Sequence, residues 1–100
     1  MSSAGKNAVP RRIFWALADE TRCAILEGLL IQNFQSASTL AGPLQISRQA
    51  VSKHLDVLAE AGLLRRSREG KKVVFEILPE GLAPASEYIR MFAPHEANTT

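Results

Sequence analysis

Arg48, Gln49, Ser52 and Lys53 are the residues of this chain best equipped for recognition chemistry. They bring two cations, an amide and a hydroxyl within six positions. At helical spacing they fall on one face, together with Asp56. Arginine and lysine neutralise phosphates. Glutamine donates and accepts together and can bond an adenine edge twice, and serine serves either purpose. The charge is also graded along the segment 47–62, with both cations in the first half and the acids Asp56 and Glu60 in the second. A helix that pushes its N-terminal end into a nucleic-acid groove needs that polarity.

A second basic cluster follows closely. Segment 63–72 carries Arg65, Arg66, Arg68, Lys71 and Lys72 against Glu69 alone, a net +4 in ten residues. From Val73 onward Glu76, Glu80, Glu87 and Glu96 face only Arg90, a net −3. The whole chain is +2, so total charge argues little and its distribution argues for one anion-facing side. Alternation along a strand keeps Arg65 and Arg66 from pointing the same way, which favours Arg68, Lys71 and Lys72 as phosphate contacts.

The elements that must hold these side chains follow from pattern. One hundred residues suit a single domain, and 46% apolar content is enough for one core. Residues 1–8 and 95–100 read as disordered tails around a domain over 9–94. Pro10 suits the first turn of a helix whose Ile13, Phe14, Leu17 and Ala18 share a side. Asp19 is a natural N-cap for a second helix with a stripe of Ile25, Leu26, Leu29 and Leu30, ending near Gln32 or Asn33. Ser36 or Ser38 opens a short third helix over about 37–42, which Gly42-Pro43 is expected to break. Ser47 caps the fourth, where Val51, His54, Leu55 and Leu58 form the packing stripe and Gly62-Leu63 suits a Schellman ending. The period then changes. Segments 63–68 and 72–78 read as strands around an Arg68-Glu69-Gly70-Lys71 turn. Pro79 ends the hairpin, and a last helix over about 80–93 aligns Leu82, Ala85, Ile89 and Phe92.

The fold class is therefore mostly α with a small β-hairpin: a winged helix-turn-helix of five helices and a two-stranded wing. Residue identity adds to this. The blocks ALADETRCAIL (16–26) and ISRQAVSKHLDVLAEAGLLRRSREGKKVVFEI (46–77), with a closing amphipathic helix, closely resemble the ArsR family of bacterial repressors. The resemblance covers roughly residues 10–93. It implies a homodimer built on the first and last helices, which binds double-stranded DNA at an inverted-repeat operator and represses its own operon.

On this reading Ser47, Arg48, Gln49, Ser52, Lys53, Arg68, Lys71 and Lys72 are the DNA-binding residues. Ser47 would present the first backbone N–H groups of its helix to a phosphate. Ile13, Phe14, Trp15, Leu82, Tyr88, Ile89 and Phe92 are the expected dimer interface, since aromatic residues suit a buried contact. Phe14, Trp15, Tyr88, Met91 and Phe92 leave open an apolar pocket for a small effector or a partner protein. His54 reads as a histidine bonded at the edge of the core, with direct DNA contact as the other option.

Many members of the resembled family sense metals through paired cysteines or through Asp and His pairs. This chain departs from both patterns. Segment 36–43 has no cysteine, and Glu87, His95 and Glu96 make a poor ligand set. No metal and no cofactor is expected. Cys23 is the single cysteine, which excludes an intrachain disulfide and fits a reducing cytoplasm. A thiol-responsive repressor acting through Cys23 is one alternative, and a winged-helix protein–protein module is another. The charged wing argues against the module. An enzyme is not expected: there is no Cys–His or Ser–His–Asp constellation, phosphate-cradling glycine loop or close carboxylate pair. No run of about 18 apolar residues and no N-terminal apolar segment suggests a membrane span or signal peptide.

Overall fold

The computed structural model describes residues 9–93. The tails expected at 1–8 and 95–100, with His95 and Glu96, lie outside them. The order is α1 (Arg11–Leu17), α2 (Glu20–Ile31), α3 (Ala37–Leu44), α4 (Arg48–Glu60), β1 (Leu64–Glu69), β2 (Lys72–Ile77), a 3₁₀ turn (Pro79–Leu82) and α5 (Ala83–Arg90). Five α-helices and an antiparallel two-stranded hairpin give the winged helix-turn-helix expected from the sequence.

Local capping starts three of the helices. Asp19 accepts from the Arg22 N–H at 2.9 Å, Ser36 from Thr39 at 3.2 Å and Ser47 from Ala50 at 3.0 Å. α4 ends in a Schellman motif: Leu63 N–H reaches the Leu58 carbonyl at 3.0 Å and Gly62 N–H reaches that of Ala59 at 3.0 Å. Gly62 has φ +83°, which a side chain would resist.

Val51, Leu55 and Leu58 of α4 are fully buried. Around them pack Ile13 and Ala16 of α1, Ile25 and Leu29 of α2, Leu40 and Ala41 of α3, then Leu63, Leu64, Phe75 and Ala85. The stripes of α1 and α2 differ from expectation. α1 ends at Leu17, so Ala18 stands exposed beyond it, while Ala16 enters the core. In α2, Leu30 is 75% exposed, because each helical step turns about 100° and carries it off the Ile25–Leu29 line. The start of that line is a charged residue, Arg22.

Proline explains two further differences. α3 is not broken at Gly42-Pro43 but runs to Leu44. Pro43 lacks a donor only for the carbonyl of Thr39, an exposed residue that water can reach. The stop is made instead by Gln45, left-handed at φ +58°, whose N–H closes on the carbonyls of Ala41 and Gly42. The C-terminal segment is two pieces rather than one helix. Pro84 has no N–H for the carbonyl of Glu80, and Ala83 takes that carbonyl in a tighter 3₁₀ turn.

The wing pairs Leu64 with Ile77 through Glu69 with Lys72. Its turn centres on Gly70-Lys71, one residue later than expected, with Gly70 at φ +64° in the first central place, as a type II′ turn requires. The α2–α3 connection joins the wing. Gln35 and Phe75 exchange backbone bonds of 3.2 and 2.9 Å, and the Asn33 side chain accepts from Ile77 N–H at 3.0 Å. At the far end Gly81 lies against the exit of α4. A Cβ there would collide with the Gly62 carbonyl oxygen and sit 3.1 Å from Leu63 Cα.

Candidate nucleic-acid interface

The packing of Val51, Leu55 and Leu58 dictates which face of α4 is free. Arg48, Gln49 and Lys53 are exposed, and Ser52 is half-buried. Ser47 is exposed too, but its oxygen already accepts the Ala50 N–H, so its role is to fix the first turn. A groove of about 500 Å³ runs between α3, α4 and the wing. Ser38, Thr39, Arg48, Ser52 and Lys72 line it, with Phe75 at the wing side. The structure thus brings Arg48, Ser52 and Lys72 to one concavity.

Acid partners divide the wing cations into two groups. Arg65 reaches Glu76 at 3.2 Å across the strands. Arg66 bonds Asp56 of α4 and lies 5.4 Å from the centre of the Phe75 ring, so it clamps the wing to that helix. Among the described residues no acid stands within ion-pair distance of Arg48, Lys53, Arg68, Lys71 or Lys72. Exposed pairs such as Arg66–Asp56 add little stability. The Arg66 pair cancels the Asp56 charge locally.

His54 faces away from that surface. Its Nδ1 lies 3.4 Å from an Arg22 nitrogen and 3.9 Å from Asp19 Oδ2. The Arg22 N–H bond, and then the Arg22 charge, hold the Asp19 carboxyl below the ordinary aspartate value against an opposing burial effect. Arg22, only 8% exposed, was not singled out by the sequence pattern. Its one hint is its place three residues before Ile25 on the buried line of α2. Cys23 is half-buried and its thiol donates to the Leu17 carbonyl at 3.2 Å.

The expected interface residues divide as well. Ile13 is 6% exposed and belongs to the protomer's own core, so it has little surface to offer a partner. Phe14, Tyr88 and Phe92 form a chain of tilted aromatic contacts with centroids 5.8 and 5.2 Å apart. Beside them an apolar cleft of about 370 Å³ is lined by Phe14, Leu17, Leu82, Ala85 and Ile89. Leu82, Ile89 and Phe92 are 45, 51 and 69% exposed. Trp15 turns toward α2 and α4, with the Arg22 guanidinium 4.5 Å from its ring centre.

Among the described residues, no three His, Cys, Asp or Glu side chains are grouped so as to hold a metal ion. No helix among them is long and apolar enough to cross a membrane.

Known proteins share this arrangement. The family model of a helix-turn-helix domain matches residues 17–67. An HTH-type transcriptional regulator of Mycobacterium tuberculosis is 43% identical over 74 residues, 74% of this chain and 68% of that one. The arsenical resistance operon repressor of Escherichia coli is 35% identical over 81 residues, 81% of this chain and 69% of the relative. Among solved structures, an ArsR-like transcriptional regulator from Rhodococcus sp. RHA1 superposes with a TM-score of 0.77 at 37% identity, over 93% of this chain and 88% of its own. The helix-turn-helix, the wing and these relatives lead to one conclusion: the chain belongs to the ArsR family of winged helix-turn-helix transcriptional regulators, which bind DNA and are not enzymes.

Proposed function

We propose that the chain acts as a homodimeric repressor of its own operon, reading an inverted-repeat operator with one α4 per half-site. The observation that carries this is the sorting of charge. Arg48 and Lys53 on α4, and Arg68, Lys71 and Lys72 on the wing, have no acid partner among the described residues, while Arg65 and Arg66 have one each. Gln49 and Ser52 are the base-reading side chains, and Ser47 sets the helix start against a phosphate. The partially exposed Phe14, Tyr88, Leu82, Ile89 and Phe92 supply the dimer surface, with Trp15 at its margin. Repression follows the naming of the arsenical resistance relative.

The test is binding of the purified protein to DNA from just upstream of its own gene, with a nonspecific duplex in competition. The expected result is a clear preference for the upstream fragment, abolished in a Gln49/Ser52/Lys53 triple alanine variant. Lys71→Ala and Lys72→Ala should instead weaken all duplexes alike and each flatten the salt dependence by roughly one unit. Equal wild-type affinity for both duplexes would leave only nonspecific basic binding and refute the reading.

A further inference from the structure

Arg22 joins three elements through one buried guanidinium. Its Nε donates to the Ala16 carbonyl at 2.8 Å and Nη2 to the Trp15 carbonyl at 3.1 Å, so it closes the C-terminal end of α1. It belongs to the first turn of α2, and its Nη1 lies 3.4 Å from Nδ1 of His54 on α4. A planar fork of five donors can serve three acceptors at once, whereas an ammonium cannot hold that geometry. On the α4 side, His54 is the one polar member of the stripe Val51, His54, Leu55 and Leu58. Guanidinium nitrogens only donate, so a hydrogen bond across this contact has His54 Nδ1 accepting and the neutral ring's proton on Nε2.

We propose that Arg22 and His54 are positioning residues for DNA reading: their hydrogen bond sets the seat of α4 against α1 and α2, and the neutral imidazole is the state that holds it. This rests on the DNA-reading role proposed above for α4. Protonation turns Nδ1 from acceptor into donor and sets two cations 3.4 Å apart. The available partner for an imidazolium is Asp19 Oδ2, 3.9 Å away at the α1–α2 junction. The ring then exchanges Arg22 for Asp19, and α4 loses its tie to the end of α1.

Among the described residues, Asp19 is the one acid within ion-pair distance of that ring. α1 presents Trp15 and backbone carbonyls, and Arg11, Arg12 and Glu60 border the cleft at Trp15. α3 has no charged residue. β1 gives Arg66 to Asp56 and Arg65 to Glu76. On α4 itself Lys53 is exposed.

Trp15 is the only tryptophan, and Arg22 stacks on it, so its fluorescence reports this joint without DNA. The experiment titrates the full chain between about pH 5 and 8, the range in which histidine charge changes. The wild type should show one transition, and His54→Asn should show none, since asparagine keeps an acceptor but does not titrate. In parallel, operator preference over a nonspecific duplex should fall about tenfold across that transition in the wild type and stay level in His54→Asn. His54→Ala, which leaves Arg22 Nη1 without its acceptor, should lose about tenfold in operator preference at pH 7.5. A flat wild-type emission curve, or a transition that persists in His54→Asn, overturns the joint. A wild type without operator preference at pH 7.5 overturns the DNA reading instead, and the Trp15 titration still decides the joint.

Discussion

Asp19 illustrates how one side chain serves two elements. Its Oδ2 caps α2 through the Arg22 N–H and stands near His54 of α4. The bond from Arg22 and the Arg22 charge lower its folded-state pKa below the ordinary 3.8. A carboxyl lowered on folding stabilises the native state above its unfolded pKa, and that contribution is lost as pH falls through the folded value. Acid unfolding followed by circular dichroism should therefore show a loss of stability below about pH 4 that is smaller in Asp19→Asn, which keeps the cap acceptor but cannot titrate. An identical acid limb in the two proteins would count against this role. The cap itself was legible in the sequence because its partner is three residues away. Arg22 was not, because its acceptors are the last carbonyls of the preceding helix and a histidine 32 positions on. In a sequence, an arginine in a first helical turn reads as solvated. Cys23 is similar: its thiol donates to the end of α1, a contact that no spacing rule announces.

The elements were most legible where their boundaries are chemical and local. Both ends of α4 follow from Ser47 and Gly62-Leu63, and they give two separable predictions by chemical denaturation. Ser47→Ala removes a side-chain acceptor and should cost about 1 kcal/mol. Gly62→Ala meets no atom within 4 Å, so its cost is conformational alone and should be about 1–2 kcal/mol. Equal stability of Gly62→Ala and wild type would show that the α4 exit relaxes. Pro43 sits in the last turn of α3, where the helix tolerates it, whereas Pro84, which no sequence expectation addressed, splits the closing segment. The Gln35–Phe75 bridge was invisible for another reason. A single residue pair across 40 positions has no alternation to detect, yet with Asn33 it stitches the wing to the start of α3.

On the scale of the molecule, a large apolar surface remains open on one side. Leu82, Ile89 and Phe92 keep about half or more of their area, next to the α1–α5 cleft. Covering such surface is what a second copy would do. Ile89→Glu should give a monomer in sedimentation equilibrium, with helix content retained and operator affinity reduced. A variant that remains dimeric would move the interface to the other exposed group, Leu30, Ile31 and Phe34.

The contact at Gly81 then takes on a wider meaning. The segment leading into α5 rests on the Gly62 carbonyl just past α4, with room for a hydrogen and nothing larger. Side-chain packing drifts as residues are exchanged, but a main-chain stop of this kind does not. In a dimer assembled through α5, the distance between the two reading heads would be gauged from that stop. Drift elsewhere in the core could then alter how tightly the pair holds together while leaving its match to the helical repeat of DNA unchanged.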